Sequence, residues 1–178
     1  MSSRRSHAIV KCVCTPAAAI STGMMRIIAI ATLALILGHA AGYAQSDDFA
    51  AGLAAYDAGD YPEAVRIWRA LAEAGDAFAQ TALAGLYRSG EGVRQDLAEA
   101  ARLYRLAAEQ GNDDAQLNLG RMYAEGAGVP RDLVEAYVWL SLAARQGRKW
   151  AEQRRQELNL TPAELAEAKR RIENYAGG

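Results

Sequence analysis

Side chains that commonly carry out catalysis are concentrated at one end of this 178-residue sequence. Both histidines, His7 and His39, and both cysteines, Cys12 and Cys14, lie within the first 44 residues. Residues 45–178 therefore lack the usual general base, the usual nucleophilic thiol and the usual zinc ligands. The serines of this region have no histidine to activate them: Ser46, Ser89 and Ser141. We expect no catalytic residue, no metal site and no cofactor.

Acidic residues and glycines give only weak indications of a site. A paired-carboxylate hydrolase is not formally excluded, but most of the conspicuous acids stand where helices are expected to start. Asp113-Asp114 is better explained by acids that the helix dipole favours in a first turn than by a cation site. Gly90-x-Gly92 and its repeat lack the preceding strand and the third glycine of a dinucleotide-binding motif. A hydrolase or a glycan-binding module remains an alternative.

Charge is unevenly distributed along the chain. Residues 1–44 contain four basic residues and no acidic one, whereas residues 45–178 contain 16 basic and 21 acidic residues, a net charge of −5. A nucleic-acid-binding protein needs a cationic surface that displaces the counterions of the phosphates. The net-acidic body therefore argues against a nucleic-acid partner.

The N-terminal segment is typical of an export signal. Arg26 precedes an apolar run over residues 27–37, and small residues follow up to Ala44. Cleavage is favoured after Ala44, with Gly42 at the −3 position. The apolar run is too short for a membrane-spanning helix, which needs about 20 residues, so we expect no stable membrane insertion after cleavage. Translation could begin at Met1, Met24 or Met25, and the mature protein is expected to be periplasmic or secreted.

A 36-residue repeat organises the middle of the sequence. Sixteen residues recur identically at this offset, spread along the whole copy. A third, partial copy lies upstream between Asp60 and Gly75, where the turn between the two helices is shorter. Self-similarity at such a period is the signature of a repeat architecture.

Each copy predicts two helices. In the second helix, apolar or small residues recur at i, i+3, i+4, i+7 and i+8, which forms one helix face that repeats in register. Asp-x-x-Glu spacings at Asp60, Asp96 and Asp132 predict capping boxes, and Gly75 and its repeats follow the second helices. The fold class is all-α, a short α-solenoid of about three helix-turn-helix repeats.

The C-terminal segment departs from the repeat. Thr161-Pro162-Ala163-Glu164 is a strong helix start, and we expect residues 148–178 to form a capping helix pair that covers the open end of the array. Trp150 is expected in the core of this cap, with a partner contact as the alternative. The chain thus divides into an N-terminal extension with signal peptide (1–44), repeats (45–147) and cap (148–178).

The first full copy resembles the Sel1-like repeat, a relative of the tetratricopeptide repeat, in the pattern Ala79-Gln80 … Leu83 … Tyr87 … Gly90-x-Gly-Val93 … Asp96 … Glu99-Ala100 … Tyr104 … Ala107-Ala108-x-x-Gly111. The second copy fits equally well, and the resemblance covers about residues 49–147. It implies a right-handed superhelix of helix pairs that binds proteins. Exported bacterial members include regulators and adaptors of envelope complexes and proteins that meet host factors.

The same resemblance places the first helices on the concave side of the array, where positions not needed for packing are free to recognise a partner. A shallow groove of this size suits a short peptide or a single helix, and Arg88 and Arg121 are suited to bidentate binding of a carboxylate. A first helix that lacks a preceding repeat leaves self-association open. The predicted partner-binding residues are Phe78, Thr81, Gly85, Arg88, Asp114, Leu117, Asn118 and Arg121.

Three functions follow from this reading. The leading prediction is a non-enzymatic exported protein that binds another protein as an adaptor or regulator of an envelope complex. The first alternative is a secreted factor that meets a host or competitor protein. The second alternative is the glycan-associated or peptidoglycan-associated module or hydrolase, against which the lack of histidine argues.

Overall fold

The computed structural model describes residues 48–176, which contain eight helices and no strand. The expected export signal and its cleavage site after Ala44 lie outside the described residues. No helix within this part of the chain combines the length and the apolarity needed to cross a membrane. The helices are α1 (48–57), α2 (Tyr61–Glu73), α3 (Ala77–Ser89), α4 (Leu97–Glu109), α5 (Asp113–Glu125), α6 (Leu133–Arg145), α7 (Lys149–Gln156) and α8 (Pro162–Ala176).

Neighbouring helices pack in chain order, which confirms the predicted all-α solenoid. The hairpins are α1/α2, α3/α4 and α5/α6, and α7 and α8 both pack on α6. We call α1, α3, α5 and α7 the first helices, because α7 follows Gly147 as α3 and α5 follow Gly75 and Gly111. The helices α2, α4 and α6 are the second helices.

Small residues let the helices approach closely, and large residues fill the space between them. Ala64, Ala100 and Ala136 are fully buried at equivalent positions of the three second helices. Trp68 and Tyr104 lie four residues further along α2 and α4, and both are also buried. Burial of such a side chain stabilises the fold by about 1.5–3 kcal/mol, so the repeated stripe supplies most of the core.

Helix starts follow the predicted capping only in part. The carboxylate of Asp96 accepts a hydrogen bond from the amide of Glu99 at 2.9 Å, and Asp60 and Asp132 act in the same way. The glutamate does not return a bond to the cap, because Glu99 instead pairs with Arg102 at 2.6 Å. The full reciprocal box forms at the start of α8, between Thr161 and Glu164.

The Gly-x-Gly-Val loop sets the contact between consecutive repeats. Gly128 has a φ of 73°, and a Cβ atom there would stand 2.1 Å from the backbone oxygen of Leu97 at the start of α4. Gly92 approaches Tyr61 at the start of α2 in the same way. Only glycine accommodates both the conformation and the distance, so this loop fixes how one repeat sits on the one before it.

Glutamine side chains add a second link between repeats. The amide of Gln80 in α3 donates to the carbonyl of Ala72 at the end of α2 (3.1 Å), and Gln116 repeats this bond to Ala108 (3.2 Å). Both glutamines are buried, where an unmet polar group is costly. The Ala-Gln pair of the repeat therefore has a structural role.

The C-terminal cap covers the last second helix. Ala168 and Ile172 of α8 are buried against Val138 of α6. Arg171 forms an ion pair with Glu135 at 2.5 Å, and the ring of Tyr175 lies 5.2 Å from that of Trp139. Together these contacts cover the apolar face of α6.

Candidate functional site

A groove of about 360 Å³ runs across the first helices, on the surface where the sequence predicted partner binding. Its apolar part comes from α1 and from the middle of α3, and its polar part comes from the end of α3 and from α5. The groove is lined by Leu53, Tyr56, Trp68, Thr81, Ala82, Gly85, Leu86, Arg88, Ser89, Glu91, Tyr104, Asp114 and Asn118.

Five of the eight predicted binding residues meet in this groove: Thr81, Gly85, Arg88, Asp114 and Asn118. Thr81 and Asn118 also bond within their own helices, to the carbonyls of Ala77 (2.7 Å) and Asp114 (2.9 Å). These local bonds hold the two side chains along the groove wall and leave their remaining hydrogen-bonding capacity free for a ligand.

The other three predicted residues lie elsewhere. Phe78 is 66% exposed, and its ring packs edge-to-face with that of Phe49, with 6.3 Å between the ring centroids. Arg121 lines a separate hollow of about 200 Å³ between α5, α6 and the end of α7. Leu117 is half-buried against the cluster of α6 and α7. The expectation that packing does not need Leu117 is therefore wrong, because α7 covers that side of α5.

The floor of the groove is the hydroxyl end of Tyr104. Its ring is buried in the core, and burial raises the pKa of the hydroxyl above its usual value, against the opposing influence of Arg88 and Arg121. Gly85 lies next to this hydroxyl, since a Cβ there would stand 3.8 Å from it, at ordinary van der Waals distance. The tyrosine thus presents a neutral hydroxyl, which can donate and accept.

Charges in and beside the groove are unevenly compensated. Arg148 at the start of α7 binds both Asp113 and Asp114, each at 2.6 Å, and this contact holds the pKa of the Asp113 carboxyl below its usual value. Arg88 forms no ion pair with any carboxylate of residues 48–176, and Arg121 reaches only Glu125 at 3.9 Å. The Nε atom of Arg121 is buried without a hydrogen-bond partner in the described chain.

Three exposed apolar residues of this face were not predicted as part of the site. Leu53 and Tyr56 of α1 line the groove and are 45% and 37% exposed. Trp150 of α7 is 68% exposed, so the expectation that it packs inside the cap is wrong. The position of Leu53 and Tyr56 on a first helix could have predicted their exposure. The shorter turn of the first copy obscured the equivalence of α1 with α3 and α5.

A second groove, of about 390 Å³, lies on the opposite side between α2 and α4. It is lined by Arg69, Glu73, Tyr87, Glu99, Arg102, Leu103 and Leu106, among others. Two of its four charged residues pair with each other, Glu99 with Arg102, and Arg69 donates a hydrogen bond to the hydroxyl of Tyr87. In residues 48–176, no group of three or more His, Cys, Asp or Glu side chains is placed to hold a metal ion.

The comparisons with known proteins agree with this architecture. The family described as Sel1 repeat matches residues 77–112 and 113–147. A solved structure of a protective antigen present in uropathogenic Escherichia coli strains, with an SLR fold, superposes with a TM-score of 0.71 at 30% identity, over 75% of this chain. A Sel1 repeat protein from Oxalobacter formigenes superposes with a TM-score of 0.57 at 34% identity, over 59% of this chain.

The chain spans only 30% of the Escherichia coli protein and 43% of the Oxalobacter protein. The search of curated proteins gives no match. Sel1 repeat proteins are generally protein–protein interaction modules, and their fold is typically a non-catalytic scaffold.

Proposed function

Because the chain carries two Sel1 repeats, we propose that it is a binding scaffold that holds a segment of another protein on its first-helix face, the exposed side chains of α1, α3, α5 and α7. The observation that carries the proposal is the groove above Tyr104, where five separately predicted residues converge beside exposed apolar side chains. Apolar area combined with a few convergent polar groups is the usual composition of a binding site.

In this proposal the protein is exported and acts as an adaptor or regulator of a complex in the cell envelope. Export rests on the basic, apolar and small-residue layout of residues 26–44. Arg88 in the groove and Arg121 in the neighbouring hollow each supply a side chain that can bind a carboxylate, and Leu53 and Tyr56 contribute apolar contact area. The scaffold itself carries out no reaction.

Affinity capture from the envelope fraction tests this function. The Arg88→Glu, Arg121→Glu double variant should lose a partner that the wild type retains, because both changes repel a carboxylate. A control variant with the same net charge, Arg94→Glu, Lys169→Glu, should retain it. Loss from both variants, or from neither, would contradict binding at the first-helix face.

A second candidate function is a secreted or surface-displayed factor that meets a host protein. The likeness to a protective antigen of uropathogenic strains favours it. Fractionation of cells and medium separates the two candidates, because the adaptor should stay in the periplasmic fraction and the secreted factor should accumulate in the medium.

A further inference from the structure

Two hollows of the first-helix face are formed by the same part of the repeat. The groove above Tyr104 and the hollow that Arg121 lines contain pairs of residues that stand 36 positions apart. These pairs include Gly85 and Arg121, Tyr104 and Leu140, and Asn118 and Arg154. The two hollows are therefore equivalent, and they differ in the side chains at these positions.

In the second hollow, the chain fills part of the space itself. Arg121 lines this hollow, and its Nε atom is buried. The volume that remains is about 200 Å³, against about 360 Å³ in the groove. Gly85 stands in the place of this arginine one repeat earlier, so no side chain extends from this position into the groove.

Apolar and aromatic side chains make up much of the lining of the groove: Leu53, Tyr56, Trp68, Ala82 and Leu86. Trp68 and Leu86 are buried in the core, whereas Leu53 and Tyr56 are partly exposed. A large apolar side chain that enters the groove from a bound segment would leave water and cover this lining, which is favourable. The groove volume of about 360 Å³ lies within the usual range of ligand pockets, roughly 300–1,000 Å³.

The charges of the groove favour neither sign. Arg88 and Glu91 line it with opposite charges, and Asp114 is bound by Arg148 at 2.6 Å. A charged side chain buried among these groups would lose its hydration without a net attraction to replace it. An uncharged side chain has no such penalty, and a carboxylate elsewhere in the segment can still meet Arg88, which is exposed.

We infer that the groove takes up one large uncharged side chain of the bound segment, and that Gly85 provides the space for it. This inference rests on the proposed function and defines which kind of side chain anchors the segment. The anchor occupies the place that Arg121 fills from within the chain one repeat later. Few residues carry most of the binding energy at an interface, and those that do fill well-packed pockets.

Peptides selected on the full chain from a phage-displayed library of random 16-residue sequences test this specificity. An alanine scan of an enriched peptide should find one large uncharged residue whose replacement lowers the affinity at least about tenfold. Gly85→Arg, which introduces the side chain of the next repeat, and the uncharged Gly85→Met should weaken the parent peptide equally. In these two variants the parent peptide and its alanine derivative should bind alike, because the anchor has already lost its place.

Gly85→Ala is the matched control. A Cβ at this position stands at ordinary van der Waals distance from the Tyr104 hydroxyl, 3.8 Å, so the affinity should stay within about twofold of the wild type. Circular dichroism should show wild-type helicity in all three variants, since alanine, methionine and arginine each favour a helix more than glycine does. A loss of helicity in both Gly85→Arg and Gly85→Met would overturn the inference, because position 85 would then belong to the packing of the fold.

The other outcomes separate the inference from the function beneath it. Peptides that lose affinity in the Arg88→Glu, Arg121→Glu variant but bind Gly85→Arg and Gly85→Met as well as the wild type would overturn the inference and leave the binding face in place. An anchor residue that proves to be charged would overturn it as well. A failure to enrich any peptide, or enrichment of peptides that bind all of these variants equally, would contradict the proposed function itself.

Discussion

The two faces of the array are built from the same repeats, but they differ in the large apolar side chains that they expose. Among the described residues, the second helices expose one such side chain, Leu106, and α8 covers the apolar surface of the last of them. The first helices expose four: Leu53, Tyr56, Phe78 and Trp150. This difference, and not the number of ion pairs, is what favours the first-helix face in the proposal of a binding surface.

One of the differences between the repeats lies where the cap docks. Arg102 of α4 and Val138 of α6 occupy equivalent positions. On α4 the arginine pairs with Glu99, so that surface is polar and satisfied. On α6 the valine provides an apolar seat for Ile172 and leaves Glu135 available to Arg171. Together with Val134 and Tyr137, which pack against the same cluster, this valine gives α6 the apolar surface that the cap covers.

The largest expected effect comes from Val138→Arg, which gives α6 the surface of α4. Val138 is fully buried, and a charge at this position should destabilise the fold by about 3–5 kcal/mol and release α8. Urea denaturation measures the stability, and hydrogen exchange measures the protection of α8. The control Arg102→Val should change the stability by no more than about 0.5 kcal/mol. A Val138→Arg variant with a protected α8 would refute this account of cap recognition.

A somewhat smaller loss is expected for Ile172→Ala, which leaves a cavity between α8 and α6. Removal of a buried isoleucine side chain usually costs about 2–5 kcal/mol, and α8 can partly relax, so we expect about 2–3 kcal/mol by urea denaturation. A cost below about 0.5 kcal/mol would mean that α8 does not close the array.

The ion pair of the cap should contribute less. Arg171→Gln removes the contact to Glu135 at 2.5 Å and the contact to Glu167 at 2.7 Å. All three side chains are partly exposed, so solvent screening limits the expected loss to at most about 1 kcal/mol. Arg170→Gln, which affects a pair within α8 alone, is the matched control and should have a smaller effect on thermal unfolding. A larger loss of stability in Arg170→Gln than in Arg171→Gln would show that the contact with Glu135 adds nothing to the stability of the cap.

The link between α5 and α7 should respond to pH. Arg148 holds the pKa of the Asp113 carboxyl below its usual value of 3.8, so the folded state binds this proton less readily than the unfolded state. The resulting stability is present above the unfolded pKa and is lost as the pH falls through the folded pKa. In Arg148→Gln, an NMR titration should find the pKa of Asp113 moved upward. An unchanged pKa would show that the contact does not form in solution.

The smallest effects on stability are expected on the first-helix face. Phe78→Ala and Trp150→Ala remove exposed rings, and each should change the free energy of unfolding by no more than about 0.5 kcal/mol. Thermal and urea unfolding should both show this small change in the free energy of unfolding for each variant. A cost above about 2 kcal/mol would show that these rings support the fold, and the contrast between the two faces would then fail.

The sequence was sufficient for the architecture because its signals are periodic. The 36-residue offset, the alanine positions and the aspartate caps each report one local contact that recurs in every repeat. The aspartate half of each predicted capping box forms, but Glu99 does not return its bond, since Arg102 competes for it in the folded helix. The close approach of Gly128 to Leu97 could not be predicted from the sequence, because the two residues belong to different repeats and no local pattern reveals the distance between them.

The candidate site was predictable to a smaller extent. Helix periodicity identified which side chains of α3 and α5 face outward, and the resemblance to tetratricopeptide-type arrays placed Thr81, Arg88 and Asp114 on one face. Neither revealed that α7 takes the place of a further first helix, which buries part of Leu117 and exposes Trp150. Whether an outward position is covered depends on the helix that packs next to it, and the cap departs from the repeat.

Photo-crosslinking from defined positions in the envelope fraction tests the central claim most directly. A crosslinking amino acid at Thr81, on the first-helix face, should give a discrete adduct with one partner, and the adduct should disappear in the Arg88→Glu background. The same amino acid at Arg66, on the second-helix face, should give none. Adducts of equal yield from both positions, or an adduct from position 66 alone, would contradict the assignment of the binding face.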